Sequence, residues 1–420
     1  MSKRNAIIFV LVLLILLGVG FFAFYSYLNR NTPDTPISPT PSPIDIFPFP
    51  DGNPTTPPST RPPTSGGTDN TNIKKLRKIS SDPISGAIAT SDNAKSFIRF
   101  AERRTAARLY EVSGSPEKKT LVASTNIPKV VYESLWNSKG NGLIMRYLKD
   151  DGETIETFSA KLTTPATPAK DESTDSAKKP ESLELEGVFL PVGISTISMS
   201  PKKDKIFYVT GGETGSVGTV ANPDGTRKIE VWSSPAREWL SVWPSADVIS
   251  LTTKPSGTAK GFSYLLNTRS GSFSKIIGGL NGLAVLPSPD VHYALYSVFE
   301  NSALTLNILN LVTDSKTAAP LATLADKCVW GSKRVTILYC AVPRTIPSGT
   351  YPDDWYLGVV SFADELWKID AVSGEADLML KPEQEGGEAL DITNLSLDEQ
   401  EKTLLFQNKK DLSLWAFTLQ

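Results

Sequence analysis

The sequence predicts an all-β protein: a seven-bladed β-propeller closed by its own N-terminal strand, preceded by a single transmembrane helix and a disordered Pro-rich linker. Three observations carry this. A turn-plus-strand motif returns seven times, most often about 44 residues apart; an uncharged run of 23 residues lies near the N-terminus; and a proline-dense stretch separates the two. The chain of 420 residues holds 31 prolines and 29 glycines among runs of Val, Ile, Thr, Tyr and Phe. Such a balance favours short strands joined by turns.

Residues 1–5 form the expected cytoplasmic N-terminus. From Ala6 to Leu28 the sequence AIIFVLVLLILLGVGFFAFYSYL carries no charge, and a helix of that length covers about 35 Å, enough to cross hydrocarbon. Lys3 and Arg4 precede it, while Arg30 and Asp34 follow. The weak positive-inside bias therefore keeps the N-terminus in the cytoplasm and sends the rest across. Tyr25 and Tyr27 fall where an interfacial aromatic belt is expected. A cleaved signal peptide has a shorter apolar core, about 7 to 15 residues, and ends at a small-x-small site. This run is longer and no Ala-x-Ala follows it, so the expectation is an uncleaved anchor in the cell membrane, with the lipid bilayer contacted through residues 6–28.

Residues 29–72 are the linker. From Asn31 to Asn72 there are twelve prolines, little charge and almost no apolar periodicity, a composition that cannot bury a core. Pro alternating with Thr and Ser favours polyproline II, so the segment could hold the following domain on the order of 100 Å from the bilayer.

Residues 73–420 hold the propeller. The motif copies are SDNAKSFIRF from Ser91, NSKGNGLIMRY from Asn137, SPKKDKIFYV from Ser200, PSADVISL from Pro244, SPDVHYALYS from Ser288, GSKRVTILYC from Gly331 and SLDEQEKTLLF from Ser396. Successive starts lie 46, 63, 44, 44, 43 and 65 residues apart. The two long intervals contain insertions at about 163–180, a polar low-complexity tract, and at about 341–360. Second strands with aromatics and Gly or Ser turns follow each copy, as in RLYEVSGSPEKKTLVA and LWKIDAVSGEADLML, and read as third and fourth strands of four-stranded blades. The last repeat ends in DLSLWAFTLQ with no fourth strand. NIKKLRKIS, Asn72 to Ser80, is the spare strand expected to complete it, since an open array would leave an edge unpaired. Trp136, Trp243 and Trp330 are expected at the ends of inner strands and Trp232, Trp367 and Trp415 on third strands, all packing blade against blade.

The Ser-Pro-Asp-like turn, apolar strand and Leu-Trp-x-x-Asp-x-x-Ser/Thr-Gly pattern, clearest at Ser200–Phe207 and Leu366–Gly374, resembles the TolB-like and WD-repeat-like propeller superfamily over nearly all of residues 75–420. The plan of anchor, Pro/Thr stalk and propeller is also similar to that of membrane-anchored bacterial envelope propellers. The resemblance implies fold and location and no reaction, because fold does not settle function.

Chemistry is sparse. With 43 basic and 45 acidic residues the chain lacks the cationic excess of nucleic-acid binders, so no nucleic-acid partner is expected. The single histidine, His292, follows the Ser288-Pro289-Asp290 turn with no Gly-x-Ser-x-Gly elbow, which points to a surface or strand-end role. One histidine and two cysteines are too few for a four-ligand zinc site and leave none to spare for a three-ligand one. No cofactor and no metal are expected; oxygen-only calcium ligation is open to Asp-rich loops such as Tyr351-Pro352-Asp353-Asp354, but no EF-hand spacing occurs. Asn222–Gly225 reads as a hairpin turn, and Gly278-Gly279-Leu280-Asn281-Gly282 as an interblade loop. Antiparallel pairing around residue 334 places Cys328 opposite Cys340; a disulfide and two separate buried thiols both fit. The most distinctive loop, RTIPSGTYPDDWY, supplies the candidate binding residues Arg344, Tyr351, Asp353, Asp354, Trp355 and Tyr356. Large aromatic area beside polar edges marks recognition hot spots, and the competing reading is that the loop folds back to brace the propeller. The expectation for the whole is a non-enzymatic binding or scaffold module for a protein, peptide or glycan; the alternative is a hydrolase or lyase acting on cell-wall or external polymers.

Overall fold

The computed structural model describes residues 74–92, 95–165, 182–212 and 215–419. The expected span 6–28, the linker 29–72 and most of the 163–180 insertion lie outside the described residues. Among the described residues no helix is long and apolar enough to cross a membrane.

The chain opens on β1 (Leu76–Ser80), and then builds blade 1 from β2 (Ile84–Asp92), β3 (Lys95–Glu102), β4 (Arg108–Ser113) and β5 (Lys118–Ser124). Blade 2 is β6 (Glu133–Trp136), β7 (Gly142–Leu148), β8 (Ile155–Thr163) and β9 (Glu184–Phe189). Blade 3 is β10 (Ile194–Met199), β11 (Ile206–Gly212), β12 (Gly215–Ala221) and β13 (Ile229–Ser234). Blade 4 follows as β14 (Trp239–Ser245), β15 (Val248–Thr253), β16 (Lys260–Asn267) and β17 (Phe273–Asn281). Blade 5 is β18 (Ala284–Pro287), β19 (Tyr293–Glu300), β20 (Ala303–Asn310) and β21 (Lys316–Ala318), and blade 6 is β22 (Cys328–Trp330), β23 (Ile337–Pro343), β24 (Asp364–Asp370) and β25 (Ala376–Leu380). Blade 7 takes β26 (Ile392–Leu397), β27 (Thr403–Asn408) and β28 (Leu414–Thr418) from the C-terminus and β1 as its fourth strand. Leu76 pairs with Phe417 and Lys78 with Trp415, so the seven sheets close as the repeats predicted.

Local chemistry makes the repeats. In the first hairpin of blade 3 the Ser200 hydroxyl accepts the backbone N–H groups of Asp204 (3.2 Å) and Lys205 (3.1 Å) and donates to Asp204 Oδ1 (2.7 Å). Ser288 in blade 5 and Asp398 in blade 7 hold their turns in the same way. In the third hairpin, Asn267, Asn310 and Asp370 each accept two N–H groups two and three residues on. A side chain that satisfies turn backbone competes with any regular ladder at that point, which is why these residues punctuate the strands.

Each junction between neighbouring blades encloses its own buried cluster, and an eighth lies under the loop of blade 6. Tryptophans fill these wedges. Trp136 Nε1 donates to Gly86 O of blade 1 (3.2 Å) and Trp330 Nε1 to Leu286 O of blade 5 (2.9 Å). Trp232 meets Trp239 of blade 4 edge-on, ring centres 5.2 Å apart.

Two expectations are corrected here. Trp232 lies on β13, the fourth strand of its blade and not the third, because blade 3 spends residues 222–228 on the hairpin turn before it. Gly278–Asn281 belong to β17 rather than to an interblade loop: Gly279, at φ +80°, bulges out of the β16–β17 ladder, and a Cβ on Gly278 would stand 2.3 Å from the Phe262 ring. Glycine there serves a bulge and a close aromatic contact.

Candidate functional site

Residues 344–363 leave β23 and return as β24, on the face where the interblade connections run. They form a strap tied to four blades. Asp353 Oδ2 accepts the Gly257 N–H of blade 4 at 2.6 Å. The Tyr351 ring meets Phe299 of blade 5 edge-on and stacks on Phe362, both at 5.7 Å between centres. Tyr356 donates its hydroxyl proton to Asp326 Oδ2, just ahead of β22, at 2.6 Å. Trp355 Nε1 donates to both oxygens of Asp391, on the way into blade 7, at 3.0 and 3.1 Å. Two glycines of blade 4 make room for this crossing: a Cβ on Gly257 or Gly282 would come 2.6 Å from the Tyr351 carbonyl oxygen.

Under the strap sits a fully buried charge cluster. The Lys327 ammonium donates to Asp391 Oδ1 (2.8 Å) and Ile392 O (2.7 Å) and stands 2.9 Å from Asp364 Oδ2, which uses all three of its protons. Its side chain and that of Asp364 are 0% exposed and that of Asp391 1%. The Trp355 and Phe362 rings cover the ammonium at 4.6 and 5.1 Å. Asp391 Oδ2 further accepts Ser361 Oγ and the Phe362 N–H, both at 3.0 Å. Asp364 Oδ2 accepts the Ile392 N–H at 2.6 Å, while Asp364 Oδ1 is buried without a hydrogen-bond partner.

Two carboxylates thus share one ammonium. Burial pushes the Asp364 carboxyl up to about 6, outweighing the attraction of Lys327. Burial acts on Asp391 in the same sense, but Lys327 and the N–H donors of Phe362 and Trp355 hold it below its ordinary value. Asp364 Oδ1, with no donor against it, is where the cluster would take up a proton.

The structure therefore separates the candidate binding residues. Tyr351 and Trp355 are 1% and 3% exposed, so the aromatic contact area expected of them is turned inward as a brace. Asp353 and Asp354 each accept a backbone N–H, from Gly257 and from Thr350. Arg344 pairs at the surface with Glu383 at 2.5 Å. Tyr356 remains partly exposed, beside Leu357 and Val359, which are 78% and 72% exposed. No sequence motif flagged Lys327, Asp364, Asp391 or this apolar tip; a lysine set directly before the apolar Cys-Val-Trp strand was the available signal. Elsewhere, Cys328 and Cys340 pair across β22 and β23 with Cα atoms 4.1 Å apart and are joined as a disulfide. His292 is surface-exposed, its Nδ1 2.9 Å from Asp290 Oδ2.

No family model matches the chain, and no curated protein is similar to it in sequence. Among solved structures, oligogalacturonate lyase from Vibrio parahaemolyticus matches with a TM-score of 0.53 at 8% identity, over 84% of this chain and 96% of that one. An oligogalacturonate lyase in complex with manganese gives 0.50 at 11% identity, over 83% and 99%. TolB from Acinetobacter baumannii gives 0.41 at 8% identity over 65% of this chain, and the match spans only 59% of TolB. At such identities a likeness speaks to architecture and to nothing chemical. In fold, the chain is a seven-bladed β-propeller, the architecture in which it is similar to the oligogalacturonate lyases.

Proposed function

We propose that the chain is a membrane-tethered, extracytoplasmic propeller that works as a non-catalytic docking module for a protein partner, through the tip of the strap. The uncharged run 6–28 and its flanking charges support the tether and its direction. One observation carries the docking role: the strap is fixed at four blades, yet ends in an exposed apolar tip of Tyr356, Leu357 and Val359. Rigid apolar side chains on a preorganised loop lose little entropy on association, so their burial goes into affinity.

The hydrolase or lyase reading draws on Asp364 and Asp391, two buried carboxylates of which one is pushed up to about 6. Both are sealed beneath the strap and committed to Lys327, so a polymer could reach them only with the strap displaced.

The test is site-specific photo-crosslinking from position 357 of the full-length protein in membranes. A discrete adduct is expected, lost in the Leu357→Glu/Val359→Glu variant and kept in Val312→Glu/Val372→Glu, whose sites lie in third hairpins on the opposite face. An adduct untouched by the tip charges would remove the docking assignment. Depolymerisation of an acidic glycan that Asp364→Asn abolishes would favour the enzyme instead.

A further inference from the structure

On the face opposite the strap, a cleft of about 700 Å³ opens between blades 2 and 3. It does not depend on the docking reading. Two hairpin turns frame it, the β6–β7 turn with Lys139 and the β10–β11 turn with Lys202 and Lys203, and the Ser138 hydroxyl donates to the Lys202 carbonyl across the blade boundary at 3.4 Å. Both turns are held by their own side chains: Asn137 Oδ1 accepts the Asn141 N–H at 3.1 Å, and Ser200 holds Asp204 and Lys205 as described. The floor is apolar, made by Ile144, Val188 and Met199, which lie on the face of blade 2 turned to blade 3 or on blade 3 itself.

The charges around this cleft are unevenly committed. Asp204 accepts from Ser200, and Asp224 Oδ1 accepts both the N–H and the hydroxyl of Thr226, at 3.0 and 2.6 Å, so both carboxylates serve their turns. Glu186 stands exposed on the outer strand β9. The ammonium groups of Lys139, Lys202 and Lys203, by contrast, make no ion pair or hydrogen bond among the described residues. Burial pulls Lys203 below its ordinary value, with only the more distant charge of Glu399 opposing, and an anion placed beside it would relieve that cost.

We propose that this cleft binds a small organic polyanion, whose two or more carboxylate or phosphate groups meet Lys139, Lys202 and Lys203 while its carbon skeleton lies on Ile144, Val188 and Met199. The volume falls in the range of small-molecule sites, about 300–1,000 Å³, and such sites combine an apolar floor with a few fixed polar groups. Lysine serves here as a point charge, indifferent to whether the anionic head is planar or tetrahedral.

Isothermal titration of the full-length protein in detergent, with citrate in one arm and a nucleoside triphosphate in the other, tests this and distinguishes the two chemistries. Saturable one-to-one binding of at least one probe is expected, weakened about tenfold or more in Lys139→Gln/Lys202→Gln, as loss of two charge-assisted contacts requires. The Lys402→Gln variant, in the corresponding turn of blade 7, should bind as wild type does. Both lysines of the double variant are surface residues, and its unchanged unfolding midpoint serves as the folding control. The proposal is overturned if neither probe saturates below about 10 mM, a free energy too small for a built site, or if Lys402→Gln weakens binding as much as the double variant.

Discussion

Replacing Lys327 by Met puts the buried cluster to its sharpest test. Methionine keeps most of the side-chain volume and removes the ammonium that holds Asp364 Oδ2 at 2.9 Å and Asp391 Oδ1 at 2.8 Å. Removing one partner from a buried ion pair costs about 3–5 kcal/mol, because the remaining charge is left uncompensated, and here two carboxylates are left. The loss should depend on pH with a definite sign. Asp364 already binds its proton more tightly folded than unfolded, at about 6 against an ordinary 3.8. Its contribution to stability is therefore complete below about pH 4 and disappears as pH rises through about 6. Without Lys327 both carboxyls move up further, so the variant recovers stability on acidification by protonating them. Urea midpoints at pH 8 and pH 5, for wild type, Lys327→Met and Lys327→Met/Asp364→Asn, give the measurement. The expected result is a loss of about 3–5 kcal/mol at pH 8, a clearly smaller loss at pH 5, and partial rescue by the second substitution. A loss under about 1 kcal/mol at pH 8, the scale of a solvent-exposed pair, or one equal at both pH values, would refute the reasoning.

Two further outcomes follow from the fold. Cys328→Ser/Cys340→Ser removes a cross-link spanning 12 residues, which should lower the unfolding free energy by about 2–3 kcal/mol and make the urea midpoint insensitive to reductant; a midpoint equal to that of the oxidised wild type would contradict it. Leu76→Asp places a carboxylate at a position 4% exposed in the cluster between blades 6 and 7. It should cost about 3 kcal/mol or more, with hydrogen exchange accelerated first in β1 and β28; protection unchanged in those two strands would count against the closure.

How much of this could be read from the chain depends on the range over which each feature is determined. The turns were legible because Ser200, Ser288 and Asp398 satisfy backbone groups only a few residues away, so the chemistry that makes them is written in consecutive letters. Blade number and closure followed from their period. Trp232 escapes the sequence pattern because the third strand of blade 3, GSVGTVA, carries none of the aromatics that mark third strands in other blades, and IEVWSS after it does; only pairing tells them apart. The charge cluster was invisible for a different reason: Lys327, Asp364 and Asp391 lie tens of residues apart and are brought together only by the ring. Tyr351 and Trp355 were ambiguous because an aromatic loop with acidic neighbours has the same composition whether it faces a partner or its own scaffold. Glycines at 257 and 282, in another blade, decide that it faces the scaffold.

The pairing of β1 with β28 sets a condition on when this molecule can come into being. Arg77 and Thr418 touch across 341 positions of chain. Joining ends so far apart carries an entropic cost of about 5 kcal/mol by the logarithmic dependence on length. During synthesis the first strand emerges long before its mate exists, and must wait unpaired while six blades assemble beside it. Completion of the circle is thus deferred until β28 has left the ribosome, and any product truncated before it would display two raw sheet margins by which quality-control proteases could recognise it.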